Sequence, residues 1–217
     1  MENAVIGAVV SASRNVTPAE IGVGRGGLAE VSYIREGEGE GELTRDPDVT
    51  VLKIGRPNSE ETLGVLVNFT CHPTVLVADN YLISADYPGR MRRFIEANLG
   101  TRALFVQGAC GDVNAFWRKS PGGLAACGSA YDEIDRIGRV LGAEALKTSE
   151  LTPTRSQSGV ACVQGAVELP TREPERPMLQ EMISEADRYL ASPEGRTGTH
   201  PRRNMHLRYR EWAGEML

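Results

Sequence analysis

The chain has 217 residues, of which 41% are hydrophobic and 24% are charged, and its formal net charge is -5 at pH 7. This length is sufficient for a well-buried core, and the acidic balance argues against a nucleic-acid partner, which requires a basic surface. No apolar stretch reaches the length of a membrane span. No basic segment followed by an apolar core marks a signal peptide, which leaves the compartment open with the cytoplasm as the default.

Helices alternate with strands along the chain, which predicts an α/β fold with a mixed sheet flanked by helices. In chain order, the patterns predict a helix over 2–13, strands over 19–24, 28–35, 49–54 and 63–69, a helix over 88–99, a wholly apolar strand buried on both faces over 103–106, a helix over 132–147, a strand over 160–169 and a helix over 177–190. The predicted organisation is a single domain over 1–170. Residues 171–217 follow as a linker, a helix and an exposed, mobile tail.

His72 follows an apolar strand and precedes Pro73, which prevents the strand from continuing. A histidine at such a position serves as a metal ligand, a general base or a buried hydrogen-bonded residue, and position alone favours the last role. Neighbours on a strand point to opposite faces, so Cys71 and His72 are not expected to form a thiol–imidazole pair. The other histidines, His200 and His206, lie in the tail and are poorly placed to complete a metal site.

Asp86 comes just before the helix predicted over 88–99. An aspartate at this place caps the free amides of a helix and complements its dipole. This capping role is the favoured interpretation, and the alternative is that Asp86 orients the His72 ring by a hydrogen bond, as metal-bound imidazoles require. The two roles are compatible.

The segment Q-G-A-C-G-D-V-N, residues 107–114, ends an apolar strand in a loop broken by Gly108 and Gly111. Backbone amides in such a loop can bind an oxyanion or a phosphate. No Lys-Ser/Thr pair follows, so it is not a nucleotide phosphate loop. Cys110 as a nucleophile would need a nearby base, and a small buried thiol is the favoured interpretation.

The glycines at 22–27 also fail as a dinucleotide-binding fingerprint, because no helix start follows them. Arg35 stands at the end of a predicted strand. It either meets a substrate carboxylate or developing negative charge, or is an ordinary exposed residue. The four cysteines contain no C-x-x-C pair, which favours free thiols.

Three segments together resemble the neutral/alkaline non-lysosomal ceramidase family and its bacterial relatives: V-N-F-T-C-H-P-T at 67–74, L-I-S-A-D-Y-P-G at 82–89 and L-F-V-Q-G-A-C-G-D-V-N at 104–114. The resemblance covers most of the first 170 residues. It implies a zinc amidohydrolase of sphingolipid metabolism that cleaves an N-acyl bond.

By the same resemblance, His72 matches a zinc-binding histidine, and Arg35 falls where the family has an arginine near the substrate carbonyl. The loop 107–114 matches the loop that lines the active site beside the metal. Gln107, Gly108 and Asn114 are therefore predicted catalytic residues. Asp86 and Asp112 are predicted to hold the active-site residues in position without binding the metal themselves.

The chain departs from the family at two points. The family has a further zinc histidine upstream in a His-x-His segment, and Glu and Tyr ligands well downstream, whereas no histidine precedes His72 here. The family also has a serine where this chain has Asn114. The prediction is a zinc-dependent hydrolase of an amide in a lipid-like or related substrate, incomplete in this chain and weak or inactive when isolated. The alternative is a non-catalytic domain that keeps the fold as an interaction module.

Overall fold

A computed structural model describes residues 2–34, 46–76, 80–115, 129–156, 159, 161–168, 173–197 and 201–217. Its contacts divide the chain into two compact units, residues 1–160 and 161–217. The predicted division after residue 170 falls inside the second unit. No helix among the described residues is both long and apolar enough to cross a membrane.

The first unit contains a four-stranded mixed sheet, so the predicted α/β class is confirmed. The elements of this unit are α1 (Glu2–Arg14), β1 (Glu20–Gly27), β2 (Ser32–Ile34), β3 (Asp48–Gly55), β4 (Thr62–Phe69), α2 (Asp86–Leu99), β5 (Arg102–Gln107), β6 (Val113–Ala115) and α3 (Ala130–Glu150). The strands of the four-stranded sheet lie in the order β1-β3-β4-β5; β4 and β5 run parallel, and the other neighbours run antiparallel. A second, two-stranded sheet pairs β2 with β6.

The core lies between the sheet and the helices α2 and α3, which pack against each other. In β4 the residues Val65, Val67 and Phe69 are buried, because alternate side chains share one face of a strand. Helix α2 contacts β5, and α3 contacts β1 and β3. This arrangement fixes the β4 and β5 ends that carry the candidate site.

Helix boundaries follow the signals in the sequence. Gly100 ends α2 in the left-handed conformation with φ 65°, and its amide donates to the Glu96 carbonyl. Ser129 caps α3 by accepting a hydrogen bond from the Asp132 amide. Asp86 does not cap α2 from outside: it is the first helical residue, and Ala85 occupies the N-cap position.

Several predicted strands are corrected by the structure. The strand over 28–35 shortens to Ser32–Ile34, because only this stretch pairs with β6. The strand over 103–106 is not buried on both faces. It forms part of β5 at the edge of the four-stranded sheet, where Leu104 and Val106 are exposed. Residues 161–168 form no helix or strand, and a strand requires a pairing partner that the described residues do not provide there.

The second unit contains the helices α4 (Arg176–Ala191), α5 (Pro193–Thr197) and α6 (Pro201–Met216). The first confirms the helix predicted over 177–190. The other two lie in the part of the chain that was predicted as an exposed tail, and residues 193–197 and 201–216 there are helical. Helices α4 and α6 pack together, and the Tyr189 and His206 rings stack with their centroids 4.2 Å apart.

Candidate functional site

The exit of β4 and the loop after β5 lie side by side, because these two neighbouring strands run parallel and end at the same edge of the sheet. The Gly108 amide donates to the Phe69 carbonyl at 3.0 Å, and the His72 amide donates to the Val113 carbonyl at 2.8 Å. Two backbone hydrogen bonds therefore tie residues 69–72 to both ends of the loop. We call residues 70–74 and 107–114 the His72 corner.

The His72 ring uses both of its nitrogens within this corner. Nε2 lies 3.0 Å from the Gly111 carbonyl oxygen, and Nδ1 lies 3.3 Å from Cys110 Sγ. A carbonyl oxygen only accepts hydrogen bonds, so Nε2 carries a proton. In the neutral ring, the lone pair of Nδ1 therefore faces the Cys110 thiol.

Cys71 follows the end of β4 by two residues, and its thiol contacts the backbone of His72 rather than the ring. Its side chain is fully buried, and Sγ contacts the His72 carbonyl at 3.8 Å. Burial raises the pKa of the Cys71 thiol to about 12, so this thiol stays protonated at neutral pH. The Cys71 carbonyl accepts hydrogen bonds from the Tyr87 hydroxyl at 2.5 Å and from Gln107 Nε2 at 3.1 Å.

The predicted catalytic residues of the loop hold the corner together. Gln107 Nε2 donates to the carbonyls of Cys71 and Phe69, so its amide group supports the β4 exit. The Gly108 amide donates its hydrogen bond to the Phe69 carbonyl. Asn114 is half-buried in β6, opposite Tyr33. Binding of an oxyanion by these groups remains a prediction, and Arg35 lies outside the described residues.

The two predicted orienting carboxylates occupy different surroundings. Asp86 accepts hydrogen bonds from the amides of Leu76 at 3.0 Å and Tyr87 at 2.7 Å. These bonds join α2 to the segment that follows His72, and no bond from Asp86 to the His72 ring is present in the described part of the chain. Burial raises the pKa of Asp86, while the hydrogen bonds from backbone amides oppose the rise. Asp112 is half-buried in the loop itself, next to Gly111.

The described residues supply only part of a zinc site. No three His, Cys, Asp or Glu side chains among them come close enough to hold a metal ion. A catalytic zinc needs three protein ligands and an open position. Two suitable donors, His72 Nδ1 and Cys110 Sγ, are in contact at the His72 corner. His206 lies in the second unit, and His200 is outside the described residues.

The Cys110–His72 contact is the feature that sequence reasoning missed. Residue types carry no direct signal for it: β4 and β5 pair in parallel and end at one edge of the sheet, which brings positions 38 residues apart in the chain into contact. The position of the Cys110 thiol relative to His72 Nδ1 depends on the conformation of the loop, in which the Val113 amide donates to the Cys110 carbonyl at 2.6 Å.

No protein-family model matches the chain, and no curated protein matches it at a significant level. Two solved structures are similar in fold. The neutral ceramidase from Pseudomonas aeruginosa superposes with a TM-score of 0.58 at 23% identity over 68% of this chain, and a ceramidase complexed with C2 superposes with a TM-score of 0.57 at 24% identity over 69%. The fold is therefore ceramidase-like. The chain spans 25% of the length of each of these proteins.

Proposed function

We propose that this chain carries the His72 corner of a zinc-dependent, ceramidase-type hydrolase that cleaves an N-acyl amide bond of a lipid-like substrate. The observation that carries the proposal is the meeting of His72 with the loop 107–114 at one sheet edge of a ceramidase-like fold. Sites are commonly built where rigid strands end in loops of this kind.

The residues of the chain have separate roles in this proposal. Gly111 holds the His72 ring through its carbonyl at Nε2, so Nδ1, which contacts the Cys110 thiol, is the nitrogen that would bind a metal. Gln107 holds the strand exit that carries His72. Arg35 and Asn114 are proposed to meet the oxygen of the substrate carbonyl. When bound, zinc supplies a polarising charge and lowers the pKa of its water ligand.

The isolated 217-residue chain is expected to bind zinc weakly and to show little turnover, because metal affinity depends on the number of ligands. Zinc content is measured after a mild chelator wash, in the chain, in His72→Ala and in His206→Ala as the matched control. Near-stoichiometric zinc that only His72→Ala abolishes would contradict the expected weakness and would show that further ligands lie within the chain.

The hydrolase itself is tested on the whole polypeptide encoded by the reading frame that contains this chain. We expect it to release fatty acid from an N-acyl lipid amide. His72→Ala is expected to lower the rate by more than the roughly 10- to 100-fold that loss of an outer partner costs, while His206→Ala leaves it unchanged. No hydrolysis by the unaltered polypeptide, or equal rates in the two variants, would reject the proposal.

The second candidate is a non-catalytic interaction module with the same fold. The shortage of metal-binding side chains among the described residues favours it. The coding sequence on either side discriminates between the two. An in-frame His-x-His segment upstream and a Glu- and Tyr-bearing region downstream favour the hydrolase, and their absence favours the module.

A further inference from the structure

Helix α6 carries an exposed apolar stripe. Met205, Tyr209, Trp212 and Met216 follow one another at intervals of four, three and four residues, which places them on one side of the helix. Each of these large residues is 42–47% exposed. The same spacing defines the a and d positions of a heptad, which form the seam between two packed helices. We propose that α6 packs antiparallel against α6 of a second copy of this chain, so that the second unit forms a homodimer interface.

The second unit has a small core of its own. Among its described residues, the buried apolar side chains are Leu179, Ala186 and Ala213. Two of these three are alanines, which contribute little apolar area. A unit of this size that packs only two helices together buries too small a share of its surface to be very stable. A second pair of helices would complete a four-helix bundle around a larger core.

Helix α4 extends the apolar stripe into a broader face. Asp187 of α4 and Arg210 of α6 form an ion pair at 2.6 Å along one flank of the helix pair. Met178 lies two and a half turns before Asp187 and therefore on the opposite flank of α4. Trp212 lies about half a turn from Arg210 and therefore on the opposite flank of α6. Met178, which is 55% exposed, thus lies on the same side of the helix pair as the stripe.

The size of this face is sufficient for a weak dimer. Helices α4 and α6 each have 16 residues. At a rise of about 1.5 Å per residue and a diameter of about 10 Å, the two helices present a face roughly 24 Å long and 20 Å wide. Two such faces together remove on the order of 1,000 Å² from solvent, which reaches the lower limit for a specific interface. The expected dimer is therefore reversible.

The stripe is the same when it is read in either direction, as a two-fold axis between antiparallel helices requires. Its intervals of four, three and four residues are symmetric about the midpoint between Tyr209 and Trp212. An antiparallel pair centred there places Met205 against Met216 of the partner, and Tyr209 against Trp212 of the partner. Tryptophan, tyrosine and methionine are enriched in protein–protein interfaces, where the aromatic residues contribute most of the binding energy.

The charges beside the stripe favour the antiparallel orientation. Arg208 and Glu215 occupy g positions of the heptad, both are exposed, and no ion pair in the described part of the chain includes either of them. A two-fold axis places each flank of the helix against the same flank of the partner, so Arg208 of each copy meets Glu215 of the other. In a parallel pair, the g positions would instead face His206 and Ala213, which carry no opposite charge.

The stripe is tested first by sedimentation equilibrium of the full chain over a range of concentrations. A reducing agent is present, because the exposed thiol of Cys162 can link two chains covalently. We expect a reversible dimer of twice 23.5 kDa. Trp212→Glu places a carboxylate in the seam and should lower the association constant by at least about 100-fold. Leu207→Glu is the matched control, since Leu207 is 37% exposed on the opposite side of α6, and we expect it to leave the dimer unchanged.

A charge exchange tests the orientation. Arg208→Glu or Glu215→Arg alone converts both intermolecular pairs into like-charge pairs, and we expect each variant to weaken association by roughly tenfold. The double variant, Arg208→Glu with Glu215→Arg, restores opposite charges in an antiparallel dimer and should associate as the unaltered chain does. Such a restoration also shows that the single variants are folded, because a misfolded chain would not recover.

Three outcomes would overturn the inference: a monomer throughout the micromolar range, equal losses in Trp212→Glu and Leu207→Glu, and a double variant that stays as weak as the single ones. Binding of the monomeric chain to phosphatidylserine vesicles, abolished by Trp212→Glu, would assign the stripe to a lipid surface and overturn the inference as well. None of these outcomes bears on the metal proposed at His72, because His72 belongs to the first unit.

Discussion

Two glycine-rich segments of this chain are similar in composition and are used in different ways. In β1, the glycines make room for neighbours: a Cβ at Gly24 would collide with Thr152 Oγ1, and one at Gly26 with Thr148 and Glu144 of α3. In the loop 107–114, a Cβ at Gly108 would also collide with a neighbour, Thr70, whereas Gly111 has open space and contributes its carbonyl to the His72 ring. The β1 glycines thus serve packing against α3 and the residues after it, and the loop glycines hold the geometry around His72 and Cys110.

The largest expected effect tests the packing role of β1. In Gly22→Ala, the new Cβ would collide with the Pro153 carbonyl oxygen and lie 2.9 Å from Thr152 Cγ2. Because the obstacle is backbone, we expect the free energy of unfolding to fall by roughly 1–3 kcal/mol. Gly27→Ala is the matched control in the same strand, since nothing lies within 4 Å of its added Cβ. Urea denaturation midpoints measure both, and equal losses would contradict the packing role.

A smaller loss is expected in the loop. In Gly108→Ala, the Cβ would collide with Thr70 Oγ1 and lie 3.2 Å from the Phe69 carbonyl oxygen. Thr70 can rotate away at the cost of its contact with Asp46, so we expect the low end of the overpacking range, about 1 kcal/mol. Gly111→Ala, with open space around its Cβ, should stay within about 0.5 kcal/mol of the unaltered chain. If Gly111→Ala lowered the free energy of unfolding as much as Gly108→Ala, crowding at Gly108 would not explain the loss.

The same contrast explains how much the sequence predicts. Alternation in β4 predicts that Val65, Val67 and Phe69 share one face, and the structure buries that face. The neighbourhood of His72 and the loop was implied only by the resemblance, which places the loop beside the metal. Strand order is not local information, so the edge position of β5 and the exposure of Leu104 could not be derived. The Cys110–His72 contact depends on a few backbone hydrogen bonds within the loop, which residue types alone do not specify.

Hydrogen bonds to the backbone hold the His72 corner together. The stability losses caused by removing two donors to the same carbonyl should therefore not be additive. The Cys71 carbonyl accepts from Tyr87 and Gln107, so Tyr87→Phe or Gln107→Ala alone leaves it one partner. We expect the double variant to lose about 0.5–1 kcal/mol more than the sum of the two single losses, because the buried carbonyl then has neither donor. A double-mutant cycle in urea measures this, and strict additivity would contradict the shared support.

The smallest effect concerns Asp86, which joins α2 to the corner. Burial raises its pKa above the ordinary 3.8, so the folded chain binds this proton more tightly than the unfolded chain. The ionised carboxylate therefore lowers the free energy of unfolding. This penalty is absent below about pH 4, grows as the pH rises through the folded pKa, and is constant above it.

Asp86→Asn removes the titration, and its single amide oxygen keeps one of the two amide bonds, which lowers stability by an amount independent of pH. We expect the stability of the unaltered chain, relative to Asp86→Asn, to decline as the pH rises from about 4, measured by urea midpoints across the acid range. Parallel curves for the two proteins would show that the amide bonds balance burial at Asp86, and a rise in place of the decline would show that they outweigh it. Either outcome contradicts the expected decline, and only the rise would mean that the ionised aspartate strengthens the corner at neutral pH.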